Sequence, residues 1–197
     1  MKTLSPRVLE GLTVRLEPLT LRHVPVLSRV AFDPDLWRWT TTRITNEGEL
    51  RAYIEEALAL QCAGSALPFC ILSKTTGEAI GSSRFGNYDA PNRRIEIGWT
   101  WIARPWQRTA ANPEAKLLML DYAFTDLGCL RVEFKTDALN ARSRGALVKL
   151  GAKEEGILRS HMLVQGGRRR DSVYFSILVE EWPAVRRELE ARLLPIG

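Results

Sequence analysis

Residues 95–127 read IEIGWTWIARPWQRTAANPEAKLLMLDYAFTDL, and this stretch decides the fold. Ile95 to Ile102 is crowded with β-branched and aromatic residues, the composition of a strand. A basic, polar loop follows, Gln107-Arg108-Thr109-Ala110-Ala111-Asn112. Asn112-Pro113-Glu114 then reads as an N-cap, a proline at the first helical position and an acid in the first turn. Leu117, Leu120, Phe124 and Leu127 share one helical face, and Gly128 ends the helix. A polar loop at a helix start collects unpaired N–H groups and partial positive charge, so it can hold phosphate. A plain strand-to-helix connection has the same pattern, and on spacing alone both uses stay open.

Upstream, Leu12 to Pro18 alternates as a strand. Thr20 caps a helix that runs to about Ala31, with Pro25 in its first turn. Asp33 to Thr42 reads as a loop or helical turn containing Trp37 and Trp39. Asn46 opens a second helix with Leu50, Ile54, Ala57 and Leu58 as its apolar stripe. Pro68–Lys74 and Ala79–Phe85 form a hairpin around Thr75-Thr76-Gly77-Glu78, and Arg93–Ile102 adds a third strand. Downstream come a strand at Arg131–Thr136 and a helix at Asn140–Leu150 closed by Gly151. Strands at Ala152–Val164 and Arg170–Leu178 flank Gln165-Gly166-Gly167, and a last helix starts at Pro183, packing through Val185, Leu189 and Leu193. The expected fold is α/β (α+β), with a mixed, mostly antiparallel sheet of about seven strands and helices on both faces.

No linker or repeat divides the 197 residues, so residues 1–197 are expected to form a single domain. Hydrophobic residues make up 45% and charged residues 26%, which excludes a disordered or collagenous chain. Cys62, Cys70 and Cys129 are odd in number and widely spaced, excluding a disulfide framework and a zinc site and fitting a reducing cytoplasm. No apolar run approaches the ~18 residues of a membrane span. The net charge of +5 favours an anionic ligand but is too small to demand nucleic acid. Arg93-Arg94 and Arg168-Arg169-Arg170 read as solvated hairpin ends, and His23 and His161 carry no partner pattern.

Gln107-x-x-Ala110-x-Asn112 resembles the acyl-CoA loop of the GNAT N-acetyltransferases, usually Gln/Arg-x-x-Gly-x-Gly/Ala. Asn140-Ala141-Arg142-Ser143, followed by Leu150-Gly151-Ala152, resembles their second cofactor segment. Gly11-x-x-Val14-Arg15-Leu16-x-Pro18-Leu19 and Ile95-Glu96-Ile97-Gly98-Trp99 resemble the RimJ/RimL-like branch, named for ribosomal-protein N-acetyltransferases. These motifs run in the family's order from Gly11 to about Trp182.

The resemblance implies a cytoplasmic acetyl-CoA-dependent enzyme, monomeric or homodimeric, with a primary-amine acceptor and no metal. The pantetheine arm would pair with the end of the strand, at Trp101 and Ile102. The pyrophosphate would rest on the N–H groups of Arg108, Thr109, Ala110, Ala111 and Asn112, with Gln107 in the loop and Asn140 across the cleft. Ala110 stands where most members have a glycine, which matters only if its φ is positive. A non-catalytic acyl-CoA or RNA-binding module on the same fold is the competing reading. Glu96, eleven residues before Gln107, has the spacing of the base in histone-acetylating members. It is expected to share a face with Gly98 and Thr100 while Ile95, Ile97 and Trp99 face the core, and pairing with Arg94 is its structural alternative. Ser143 and Tyr174 compete for the role of acid, and Trp37 and Trp39 are candidates for acceptor contact.

Overall fold

The computed structural model describes residues 3–193. Its strands are β1 (Leu9–Glu10), β2 (Val14–Pro18), β3 (Leu67–Ser73) and β4 (Ala79–Asp89), then β5 (Arg94–Ile102), β6 (Arg131–Asp137), β7 (Lys153–Leu163) and β8 (Arg169–Leu178). The helices are α1 (Val24–Ala31), α2 (Glu47–Cys62), α3 (Ala111–Asp121), α4 (Ala141–Leu150) and α5 (Trp182–Leu193). All eight strands join one sheet in the order β1-β2-β3-β4-β5-β6-β8-β7. Every pairing is antiparallel except β5 with β6. The expected mixed, mostly antiparallel sheet with helices is therefore present, with eight strands rather than about seven. The extra one, β1, is only two residues long, too short to leave a periodic pattern.

One core lies between the sheet and α3, α4 and α5; Ile95, Ile97, Phe85, Met119, Phe134 and Phe175 are buried in it. A second lies beneath α1 and α2, where Leu27, Leu50, Ile54, Trp37 and Trp101 meet. Burial on this scale, at roughly 25 cal/mol per Å² of apolar surface, is the main force holding the helices to the sheet. Several helix ends follow the sequence directly. Asn46 Oδ1 accepts the Glu49 N–H at 3.0 Å, and Gly151 closes α4 at φ 94°. Past Asp121 the backbone widens into a π-turn over Tyr122–Asp126 before Gly128, at φ 69°, turns it away. Among the described residues no helix is long and apolar enough to cross a membrane.

Glu114 ties the N-terminal strand to α3. Its buried carboxylate accepts the N–H groups of Leu12, Thr13 and Val14 and the Thr13 hydroxyl, all at 2.6–2.8 Å. Gly11 is required beside it: a Cβ there would lie 2.5 Å from Glu114 Cδ. The first-turn acid thus acts on a segment a hundred residues away as well as on its own helix dipole. Glu114→Ala should cost about 2–3 kcal/mol, since it leaves charge-assisted donors unsatisfied. For a chain of this size that lowers Tm by roughly 4–12 °C; a thermal melt within a degree of wild type would contradict the assignment.

Candidate active site

β5 and β6 pair only over Arg94–Glu96 and Arg131–Glu133. Beyond that they part: β5 stays with β4 as far as Ile102, while β6 stays with β8 as far as Asp137. Two bulges bracket the point of departure. On β4, Asn87 and Tyr88 together oppose Ile95, with Asn87 at φ 50°. On β5, Trp99 and Thr100 together oppose Ser83, with Trp99 at φ 50°. Bulges raise local twist and re-aim side chains, and a tryptophan in the left-handed region costs roughly 1–2 kcal/mol. The fold carries that strain where a wedge-shaped gap opens between two strands.

The second bulge corrects the strand-face reading. Strict alternation would put Trp99 with Ile95 and Ile97, and Thr100 with Glu96. The extra residue exchanges them. The Trp99 ring lies over Gly86 on the Glu96 face, where a Cβ on Gly86 would meet it at 2.4 Å. Thr100 instead turns toward α3, its Oγ1 2.6 Å from Lys116 Nζ and 2.7 Å from Ser83 Oγ. Trp101 is buried in the α1/α2 core and Ile102 in the α3 core, so both offer the gap backbone rather than side chain.

At the far end of the gap, Gln107 Nε2 donates to Ile102 O at 2.8 Å, and Arg142 Nη1 donates to Gln107 Oε1 at 2.6 Å. Gln107 therefore links the end of β5 to the first turn of α4. The next helix begins earlier than the sequence suggests. Ala110 is the cap residue, and Asn112 and Pro113 lie within the first turn, because Thr109 Oγ1 takes the Ala111 N–H at 3.2 Å. Ala110 sits at φ −64°, so its methyl imposes no backbone strain, while Arg108 turns the exposed loop at φ 65°. Small side chains, a helix start and an adjacent cation suit a phosphate-bearing ligand. Asn140 caps α4 by accepting the Ser143 N–H at 3.0 Å, leaving Ser143 half-buried in that helix's first turn.

On the opposite side of the gap Glu96 is 4% exposed. Its Oε2 accepts from Asn87 Nδ2 at 2.8 Å and from Lys135 Nζ at 3.3 Å. Arg94, the partner considered from sequence, goes instead to Asp89 and Glu133. Lys135 also stands 5.8 Å from the Tyr174 ring centroid, and Glu96 and Tyr174 line one cavity of about 810 Å³. Glu96 and Tyr174 are thus brought together, whereas Ser143 lies apart from them in the first turn of α4, beside the Arg142 that binds Gln107. Trp37 is a packing residue: it is 2% exposed, donates Nε1–H to Ala31 O at 2.7 Å and contacts Tyr53 and Trp101. Trp39 is half-buried, its ring centroid 5.0 Å from the Arg38 guanidinium carbon and 5.6 Å from that of Arg168. Gln165 joins the β7–β8 connection to this segment by donating to Trp37 O and Thr42 O.

The Arg93-Arg94 pair is exposed, as read from the sequence, but the second arginine run needs correction: Arg168 pairs with the buried Asp137, and Arg170 is itself buried. Lys116 was hidden within the apparent apolar face of α3, where Ala111, Ala115 and Met119 are buried while Leu117 is only half-buried. It is 7% exposed, and its hydrogen-bond partners among the described residues are the hydroxyls of Ser83 and Thr100. Desolvation pushes its pKa down to about 7.

A family model described as an acetyltransferase (GNAT) domain matches residues 13–153. This chain belongs to the GNAT acetyltransferase family. The uncharacterized N-acetyltransferase p20 of Bacillus licheniformis is 33% identical over 174 residues, spanning 88% of this chain and 96% of its own. A GCN5-related N-acetyltransferase from Brucella melitensis superposes with a TM-score of 0.91 at 32% identity, covering 98% of this chain and 88% of that one. Mycobacterium smegmatis RimJ, solved with CoA-disulfide, has a TM-score of 0.80 at 27% identity over 97% of this chain and 94% of its own. The RimJ-like resemblance read from the motifs holds, and this GNAT enzyme is an acyltransferase by its family.

Lys116 gives the GNAT fold a pH signature. Between about 7 and the ordinary 10.5 the unfolded chain carries a proton on Lys116 that the folded chain lacks, so its contribution to stability rises with pH. Denaturant unfolding of wild type and Lys116→Met should show wild type gaining about 2 kcal/mol on the variant between pH 7 and 9. An unchanged difference would mean that Lys116 stays charged in the fold.

Proposed function

We propose that this chain transfers the acetyl group of acetyl-CoA to a primary amine by direct attack of the amine on the thioester. The observation that carries this reading is the parting of β5 from β6 immediately beyond Glu96. It leaves the inner edge of β5 from Gly98 to Ile102 free of strand partners on the β6 side. That backbone would hold the pantetheine arm, with Asn140 on the other wall. The N–H groups of Arg108 to Asn112 and the Arg108 guanidinium would hold the pyrophosphate. Acetyl-CoA supplies the activated acyl group; the chain's own residues supply position and proton transfer.

An α-amine or lysine amine reaches the site largely protonated near neutrality, so a base must take its proton. Glu96 stands at the mouth of the gap, its Oε2 fixed by Asn87 and Lys135. Its other oxygen, Oε1, lies beside Gly98, and the absence of a side chain there keeps the approach open. The departing thiolate needs a proton in return, and Tyr174, in the same cavity as Glu96, and Ser143, in the first turn of α4, are the two candidates to supply it. Holding an amine against the thioester lowers the barrier further by several kcal/mol. Ala110 at negative φ removes the strain that would have marked a degenerate cofactor loop.

Glu96→Gln keeps the side chain's size but removes the base. Its kcat for acetyl transfer at pH 7 should fall by roughly 10²–10⁴. The rise in Tm produced by CoA should be unchanged, and the kinetic deficit should shrink at high pH as solvent deprotonates the amine. Retention of more than about half of wild-type kcat at pH 7 would make Glu96 a structural carboxylate.

A further inference from the structure

The face of the sheet that carries Glu96 holds cations that the reaction above does not use. Arg84 of β4, opposite Gly98, is 2% exposed. Its guanidinium carbon lies 5.0 Å from the Trp99 ring and 5.2 Å from the Tyr53 ring, yet Nε and Nη1 have no hydrogen-bond partner. Across the gap, Arg170 of β8 is 6% exposed and its Nε is also unpartnered. Burial pulls the Arg170 pKa below the usual guanidinium value, against the opposing influence of Asp137 and Glu96. Glu133, farther along this face, is engaged by Arg94 and Arg131. Lys135 is paired with Glu96 and Arg168 with Asp137, which leaves the Arg84 and Arg170 guanidinium groups without an ion-pair partner among the described residues.

A buried guanidinium with free N–H groups is costly in a folded chain, and a hydrophobic side chain of similar volume would serve packing better. Such a cost is expected where the group awaits an anion. We propose that the acceptor amine carries an anionic oxygen group, a carboxylate or a phosphate, on the same small molecule, and that Arg84 and Arg170 receive it. Trp99 and Tyr53 stack on Arg84 and fix its plane, so little side-chain freedom is lost on binding. Charge would then orient the molecule with its amine toward Glu96. This inference rests on the acceptor reading above and narrows it.

The test uses the full chain saturated with CoA, whose own Tm rise reports cofactor binding independently. Acetate and inorganic phosphate are titrated against acetamide and against sodium chloride at equal ionic strength. At least one oxyanion should raise Tm saturably, acetamide and chloride should not, and the stronger oxyanion distinguishes a carboxylate site from a phosphate site. Arg84→Met and Arg170→Met should weaken that oxyanion at least tenfold while keeping the CoA response, and Arg84→Met without ligand should melt no lower than wild type. Initial rates with amino acids and aminoalkyl phosphonates beside their uncharged amides or esters should favour the charged member at least tenfold in kcat/KM, with the preference reduced in both variants. Equal response to oxyanions and neutral controls, undiminished oxyanion binding in both variants, or equal use of charged and uncharged amines would overturn the proposal. If no amine in the panel is acetylated, the oxyanion titration decides alone. Loss of the CoA response in wild type would instead count against the cofactor reading.

Discussion

The site depends on one departure from regular sheet geometry: β5 keeps its partner on one side and leaves its partner on the other. Asn87 and Trp99, both at φ 50°, place an extra residue on each strand of the β4–β5 pair, on either side of Glu96. The added twist carries β5 away from β6 after only three paired residues. The same distortion opens a slot between β5 and β6, brings Asn87 to Glu96 and rolls Trp99 onto Arg84. A regular ladder here would satisfy more backbone groups and bury more surface, but it would close the slot.

That geometry is held by polar groups placed at some cost. Thr100, Ser83 and Lys116 form a hydroxyl–amine cluster directly beneath the second bulge, on the side away from Glu96. With its pKa near 7, Lys116 can donate to both hydroxyls without keeping a full charge in the core. Above the sheet, Lys135 neutralises Glu96, and the aromatic rings of Tyr53 and Trp99 cover Arg84. The apolar cores on both faces supply the stability against which these local costs are set. Strained backbone and unpaired buried charge gather at the parting of β5 and β6, as expected where function rather than packing selects the residues.

Much of the architecture is legible in the sequence because it is local. Alternation marks the strand before Leu19, composition and turn residues mark six others, and caps such as Asn46 and Gly151 mark helix ends. Glu96 and the Gln107–Asn112 loop are legible from spacing and from family resemblance. What is missed is non-local or depends on register. Glu114 reads as a first-turn acid, and nothing near it in sequence shows that it binds residues 12–14. An inserted bulge residue exchanges the faces of Trp99 and Thr100, which strict period-two reading cannot detect. Trp37 and Trp39, two residues apart, part company because one fills a core and the other is half-buried beside two arginines. Arg84 did leave a signal, a lone charge in the strand Ala79–Phe85, and Arg170 was obscured by the two exposed-looking arginines before it.

The most direct test of the account is a crystal structure of the full chain with CoA. The pantetheine arm should lie between β5 and β6 with main-chain hydrogen bonds to the Gly98–Ile102 edge, its pyrophosphate on Arg108 to Asn112 and its thiol directed toward Glu96. Both bulges should persist with Asn87 and Trp99 in the left-handed region. A closed β5–β6 ladder running past Glu96, or CoA bound elsewhere on the surface, would contradict the claim that the parting of these strands creates the active site.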